Sequence, residues 1–208
     1  MNPNVVSQPR HQVASQGAAP ALLGERVYES AALRRIEERL ARTPGQRVLT
    51  VGRLCGETVV SLAETGARVY VHDLLVPLLV QIDRGTVDVD QLLHQVDLPP
   101  GTLDAICLWD LPDMLPLADS ARLIQRMTRL LAPRGHLTAL FHVAAGDTAY
   151  RYRLSPGGLV QMEVVASRPR LLRATVNNDM LELFSALTLQ NSALLRPQMR
   201  ELLLQKPG

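Results

Sequence analysis

The stretch RVLTVGRLCGETVVSLAETGARVYVHD, residues 47–73, decides the fold of this chain. The first segment, residues 47–52, is short, is rich in residues that favour strands and ends in glycine. This pattern predicts a buried strand. A short helix is predicted from Glu57 to Glu64, ended by Gly66, and residues 67–73 predict a second strand that ends in an acid. Strand, helix and strand at this spacing indicate an α/β unit.

The same alternation continues on both sides of this stretch. Before it, Ser30 can cap a helix that runs to Arg42, because Leu33, Ile36 and Leu40 recur at helical spacing. The further strands are predicted at residues 91–96, 103–110, 136–143, 187–194 and 199–205, and the further helices at residues 74–82, 118–131 and 178–184. Alternating strands and helices predict a doubly wound, mainly parallel sheet, in which the last two strands are antiparallel because no helix separates them.

A β-hairpin interrupts this rhythm at residues 149–166. The strands TAYRYRL and LVQMEVV flank a Ser-Pro-Gly-Gly turn at 155–158. Tyr150 and Tyr152 alternate with Arg151 and Arg153, so one face of the first strand is aromatic and the other cationic. We expect the hairpin either to cover a binding pocket or to pair with a second copy or a partner protein, because a two-stranded ribbon leaves strand edges exposed.

Composition excludes several classes of protein. The chain has 208 residues, of which 47% are hydrophobic and 20% charged, with a net charge of +2. Residues 1–24 predict a disordered leader without the apolar core of a secretory signal, and no run is apolar and long enough to cross a membrane. Two cysteines do not make a disulfide scaffold, no metal-ligand spacing occurs, and a cytoplasmic setting is expected. Interleaved acids and only 3% aromatic residues argue against nucleic-acid binding.

Candidate site residues gather at one edge of the predicted sheet. Ligands of open α/β sheets bind beyond the carboxyl ends of the strands. That edge carries the loop at residues 52–56, Asp73, Asp97, Asp110 and His142. Glycines at the loop ends let backbone approach a ligand, and an acid at position 73 can accept hydrogen bonds from ribose hydroxyls. The loop is equally consistent with a plain strand-to-helix turn, and Asp73 with a helix cap.

Four segments together resemble the class I S-adenosylmethionine-dependent methyltransferases. They are VLTVGRLCG, SLAETGARVYVHD, LPPGTLDAICLWDLPDML and LIQRMTRLLAPRGHLTALF, within a similarity that spans roughly residues 30–205. The resemblance implies an α/β fold with a Rossmann-like, seven-stranded sheet whose last strand is antiparallel. It implies one domain over residues 25–208 and S-adenosylmethionine as cofactor, with a small molecule or a protein as methyl acceptor.

The resemblance also implies roles for individual residues. Gly52 and Gly56 match the first and last glycines of the cofactor loop, Asp73 the ribose acid, and Asp97 the segment that meets adenine. The cofactor loop also contains Arg53 and Leu54. Trp109 and Asp110 fall where cofactor and acceptor meet. Asp110 and His142 are the candidate bases, by location, for an acceptor that must lose a proton; each is also consistent with a structural role.

Three positions of the loop depart from the family pattern. Thr50 stands where the family has an acid, Leu54 stands at the middle glycine, and Arg53 adds bulk and charge. The first interpretation is a methyltransferase that transfers a methyl group to an unidentified acceptor, and the alternative is a non-catalytic binding or scaffolding subunit of the same fold that has lost cofactor binding. A nicotinamide dehydrogenase is disfavoured because Gly52 and Gly56 lack the Gly-x-Gly-x-x-Gly spacing.

Overall fold

A computed structural model describes residues 26–195 and 198–208 of the chain. The strands are β1 (Arg26–Glu29), β2 (Arg47–Val51), β3 (Arg68–His72), β4 (Leu103–Trp109), β5 (Leu131–His142), β6 (Gly146–Ser155), β7 (Leu159–Leu172), β8 (Thr188–Leu195) and β9 (Met199–Gln205). The helices are α1 (Ala31–Arg42), α2 (Gly56–Glu64), α3 (Leu75–Asp83), α4 (Val89–His94), α5 (Leu117–Leu130) and α6 (Asn177–Leu183), with a short 3-10 helix at Leu111–Met114.

The central sheet has six strands in the described ranges, in the order β3-β2-β4-β5-β9-β8. The strands β3, β2, β4 and β5 are parallel to one another. Strand β9 is antiparallel to both of its neighbours, β5 and β8. The sheet is therefore mixed, mainly parallel and flanked by helices, as the alternation in the sequence predicted. Because β2 and β3 run in parallel with Val51 opposite His72, the residues after both strands reach the same edge of the sheet.

The predicted strand at residues 91–96 is wrong, and with it the predicted count of seven strands. This segment forms α4, whose first turn is capped by the Asp88 side chain, which accepts a hydrogen bond from the Gln91 N–H at 3.1 Å. Val89 and Leu92 are buried three residues apart, which is helical spacing. The leucine pair at 92–93 was mistaken for a strand because a short apolar run is ambiguous between a helix and a strand.

Two apolar layers cover the sheet. Leu49, Val51 and Ile106 point to the side covered by α3 to α6, and Val48, Ala105 and Trp109 point to the side covered by α1 and α2. This alternation along β2 and β4 follows from the two-residue period of a strand. Burial on both faces explains why these strands lack the polar alternation of a surface sheet.

A second, three-stranded sheet in the order β1-β7-β6 lies on the α1 side of the central sheet. The β6–β7 hairpin is longer than the 149–166 predicted, and β1 was not predicted at all. The hairpin tip is held at the start of α1, where the Ser30 N–H donates to the Gly158 carbonyl at 2.8 Å. The Ser30 hydroxyl accepts from the Leu33 N–H at 2.9 Å and donates to the buried carboxylate of Glu201 on β9. The cap of α1, the hairpin and the central sheet thus meet at one residue.

The predicted leader at residues 1–24 lies outside the described residues. Among the helices that the structure describes, none has the length and apolar character needed to cross a membrane.

Candidate functional site

The predicted cofactor loop lies at the carboxyl edge of the sheet, directly after β2. Gly52 has φ +140°, which favours glycine, and its N–H donates to the His72 carbonyl at 3.2 Å. Gly56 begins α2, with open space where a side chain would stand. Leu54 is 50% exposed. The loop therefore has the strand-to-helix geometry that the sequence predicted.

Asp73 is engaged by this same loop. One oxygen of its carboxylate accepts hydrogen bonds from the Arg53 guanidinium at 2.8 Å and from the Leu54 N–H at 3.2 Å. The other oxygen accepts from the Val76 N–H in the first turn of α3 at 3.2 Å. The carboxylate that the resemblance assigned to a ribose thus pairs with Arg53 and binds the backbone at the start of α3.

Trp109, at the end of β4, lies against the loop. Its φ is +54°, a left-handed conformation that is uncommon outside glycine. The indole is 4% exposed, and its Nε1 donates to the Thr50 hydroxyl at 3.0 Å. A Cβ on Gly52 would lie 3.1 Å from Cδ1 of the indole. Thr50, which stands in place of the family's loop acid, therefore holds the Trp109 indole against Gly52.

Tyr152 of β6 completes the cluster from the hairpin side. Its ring stacks on Trp109 with 4.8 Å between centroids and 2° between planes. The Thr58 hydroxyl donates to the Tyr152 carbonyl at 2.8 Å and accepts from the Leu154 N–H at 2.9 Å, which fixes β6 to α2. Burial, and then the nearby Asp110 carboxylate, raise the pKa of the Tyr152 phenol. The sequence placed Tyr152 on the aromatic face of the hairpin but did not predict its contact with Trp109.

The residues at this edge do not fit S-adenosylmethionine in the conformation described. The space among Gly52, Leu54, Thr58, Trp109 and Tyr152 admits no water molecule. Small-molecule sites enclose about 300–1,000 Å³, far more than this. A ribose bound at Asp73 would also have to compete with Arg53 for the carboxylate.

Asp110 and His142, the two predicted bases, are in direct contact. His142 Nε2 lies 3.1 Å from an Asp110 carboxylate oxygen, and the imidazole stacks on the Tyr150 ring with 6.0 Å between centroids. Asp113, on the 3-10 helix after β4, lies beside them. Its two oxygens accept from the His142 N–H at 2.5 Å and the Thr175 hydroxyl at 2.6 Å, and burial raises its pKa to about 7. The three groups can hold a proton, but their side chains are almost wholly buried.

The remaining candidate, Asp97, is apart from the cluster. It is exposed in the connection between α4 and β4, next to Val96, whose carbonyl accepts from Arg126 on α5 at 2.9 Å. Because α4 replaces the expected strand, no strand carries Asp97 to the carboxyl edge.

Cys55 and Cys107 are both buried as free thiols, and burial raises the pKa of Cys107 to about 12. No metal-binding cluster of His, Cys, Asp and Glu occurs in the described part of the chain.

Solved structures share this fold at low sequence identity. A search of protein-family models and a search of curated proteins gave no match. An S-adenosylmethionine-dependent methyltransferase from Mesorhizobium loti is similar over 85% of this chain and 98% of its own, with 15% identity and a TM-score of 0.54. A 1,6-didemethyltoxoflavin N1-methyltransferase from Burkholderia thailandensis, solved with S-adenosylhomocysteine, is 18% identical over 86% of this chain and 79% of its own, with a TM-score of 0.53.

A third neighbour has a different activity on the same architecture. The cyclase SpnF is 14% identical over 90% of this chain and 88% of its own, with a TM-score of 0.53. Likeness at these identities concerns the fold alone, because one fold supports many chemistries. The six-stranded sheet with its antiparallel β9, the loop after β2 and the structural neighbours agree: this chain has the class I S-adenosylmethionine-dependent methyltransferase fold.

Proposed function

We propose that the protein is a non-catalytic methyltransferase-fold subunit that binds or scaffolds a partner instead of using S-adenosylmethionine. The observation that carries this proposal is the stack of Trp109 on Tyr152 at 4.8 Å over Gly52. Aromatic side chains bury large areas and prefer offset stacking, so this cluster is a packed part of the core. A core that fills the cofactor position leaves no room for the group that would supply the methyl.

Two further contacts support the same function. Thr50 accepts a hydrogen bond from the indole, whereas the family's acid would have oriented a cationic amine. Arg53 and Asp73 are 2.8 Å apart with part of each side chain exposed, and this pair takes up the oxygen that a ribose would need. The residues that differ from the family pattern, Thr50 and Arg53, therefore stabilise the contacts that occupy this edge of the sheet.

The hairpin at 149–166 has a defined role in this proposal. Of the two roles expected from the sequence, its contacts favour covering the pocket, since Tyr152 enters the cluster. Its cationic face is neutralised within the protein, because Arg151 pairs with Glu163, and Arg153 pairs with Glu163 at 2.6 Å and Glu57 at 3.5 Å. A partner bound through arginine charge alone is thus disfavoured.

A methyltransferase acting on a small molecule or a protein is the second candidate. The contact between Asp110 and His142 at 3.1 Å favours it, because this pair could accept a proton at the place where acceptor and methyl would meet. Cofactor binding would first require Tyr152 to leave Trp109 and Arg53 to release Asp73. The two candidates therefore differ in whether the native chain binds the cofactor.

Isothermal titration calorimetry with S-adenosylmethionine and S-adenosylhomocysteine tests the proposal. We expect no binding to the native chain at about 1 mM ligand, where a productive site would be largely filled. The double variant with Arg53→Ala and Tyr152→Ala serves as the comparison, since it frees Asp73 and removes the stacked ring. A dissociation constant in the micromolar range for the native chain would overturn the proposal in favour of the methyltransferase.

A further inference from the structure

A groove of about 320 Å³ lies between α6 and the β8–β9 pair. It is on the side of the central sheet opposite to Trp109, since its floor belongs to the other apolar layer. Its apolar walls and floor are formed by Met180, Leu181, Phe184, Leu187, Leu202 and Leu204. The volume is at the lower end of the range for small-molecule pockets, about 300–1,000 Å³.

The groove contains one cation without an acidic partner. Arg200 of β9 lines it, together with the Ser192 hydroxyl of β8, and the only hydrogen bond of its guanidinium in the described ranges is to that hydroxyl at 3.4 Å. Leu202 and Leu204 follow Arg200 at two-residue steps, so all three side chains share one face of β9. A guanidinium presents up to five donors and favours carboxylate oxygens in a forked geometry. The groove thus combines an apolar floor with an unpaired cation.

The rim of the groove is also apolar. Leu181 and Leu189, which line the groove, are 62% and 44% exposed, and Leu194, on the same strand as Leu189, is 68% exposed. Leu189 and Leu194 lie opposite Leu204 and Arg200 in the strand register, so they extend the face that forms the floor. Exposed leucines around a concave apolar surface are typical of a binding site, and a ligand lying in the groove would cover them.

The shape of β8 favours a small ligand over an added strand. The register between β8 and β9 shifts between Leu189 and Asn191, which marks a bulge in the outer strand. Bulges disrupt the regular row of backbone donors and acceptors that a second chain would need for pairing. A molecule held by the concave side and by Arg200 needs no such row.

We propose that this groove binds a small organic carboxylate with an apolar body, such as an acyl or aryl acid. The carboxylate accepts hydrogen bonds from the Arg200 guanidinium and the Ser192 hydroxyl, while the apolar body lies on Leu202 and Leu204 and under Leu181. The site is separate from the cofactor edge, so the inference does not depend on whether that edge binds S-adenosylmethionine.

Calorimetry with sodium decanoate below its micellar range tests this site, with decanol and decyltrimethylammonium as uncharged and cationic comparisons. We expect one decanoate per chain and affinities at least about tenfold lower for the other two, because a charged hydrogen bond is lost. Arg200→Met keeps the side-chain stem and should weaken decanoate by on the order of tenfold or more while leaving decanol unchanged. Arg129→Met, on the exposed face of α5, is the matched control and should change neither.

A second variant keeps the test independent of folding. Ser192 is exposed, so Ser192→Trp should fill the groove and abolish binding of decanoate and decanol, with an unchanged melting temperature. Equal affinity for decanoate and decanol, or an Arg200→Met variant that binds decanoate normally, would overturn the proposal. So would a native dimer, measured by light scattering, that becomes monomeric in Ser192→Trp, because the occupant would then be a second copy. Absence of any decanoate binding also overturns it.

Discussion

Replacing Tyr152 with alanine removes the ring that the hairpin places on Trp109. The Tyr152 residue is 4% exposed, and its ring is parallel to the indole at 4.8 Å. Its backbone carbonyl, which binds the Thr58 hydroxyl, stays in place in the variant. The perturbation is therefore confined to the side chain that stacks on Trp109.

The expected loss of stability follows from burial. Truncating a buried aromatic side chain to alanine costs about 3–5 kcal/mol, which combines the lost transfer free energy with the cavity left behind. The stacked geometry places this residue toward the upper part of that range, since aromatic pairs add about 0.5–1.5 kcal/mol beyond their buried area. For a domain of this size, about 3–5 kcal/mol lowers the melting temperature by roughly 6–20 °C.

Urea unfolding followed by tryptophan fluorescence measures this loss, because Trp109 is the only tryptophan and reports on its own surroundings. Tyr150→Ala is the matched control. Tyr150 is in the same strand and half-buried, and its ring stacks on the His142 imidazole with 6.0 Å between centroids. We expect Tyr150→Ala to lower the free energy of unfolding by about 1–2 kcal/mol, because truncating a partly exposed ring removes less buried apolar surface.

Two results would refute the reasoning. If Tyr152→Ala costs less than about 1 kcal/mol, the ring does not fill the pocket in solution, because a packed aromatic cannot be removed so cheaply. If Tyr150→Ala and Tyr152→Ala cost the same, the position over Gly52 has no special role in packing. Either result would remove the main support for the non-catalytic function.

Three further predictions concern other contacts. Arg53→Ala should cost no more than about 1 kcal/mol in urea unfolding, because its pair with Asp73 is partly exposed; a larger loss would contradict this. Burial raises the pKa of Asp113 from 3.8 to about 7, so the folded state binds a proton that the unfolded chain releases. The free energy of unfolding of the native chain, compared with that of Asp113→Asn, should therefore fall by on the order of 4 kcal/mol as pH rises from about 4 to 7. Urea unfolding of both proteins across this pH range measures the difference, and the same pH dependence in both would contradict the raised pKa. Gly158→Ala places a Cβ 2.5 Å from a backbone oxygen, whereas Gly157→Ala, at a similar positive φ, meets open space. Calorimetric melting should show a larger loss for Gly158→Ala by at least about 1–3 kcal/mol, and equal losses would refute the packing argument.

The candidate site could be predicted in part because its residues follow strands. Gly52, Asp73 and Asp110 come directly after β2, β3 and β4, and Trp109 is the last residue of β4. Parallel strands bring their carboxyl ends to one edge. His142 ends β5, which explains its contact with Asp110. The place of Asp97 could not be predicted, because the expected strand at 91–96 is the helix α4, and its role toward adenine stays a prediction.

The closed state of the site could not be predicted in the same way. Tyr152 is more than forty residues beyond Trp109, and Thr58, which fixes its strand, is nearly a hundred residues before it in the chain. Contacts at that separation depend on how the hairpin folds back, which no local pattern describes. Two signals were present: Thr50 in place of an acid, and tyrosines alternating along the first strand of the hairpin.

Local patterns in the sequence determined the order and type of most elements, because burial of strands on both faces and of one helix face imposes periods of two and 3.6 residues. They also determined that a glycine loop and an acid lie at one edge of a parallel sheet. Only the tertiary structure decided what occupies that edge. The stack of Tyr152 on Trp109 and the pair of Arg53 with Asp73 arise from packing between segments distant in sequence, and packing depends on the three-dimensional shapes of the partners.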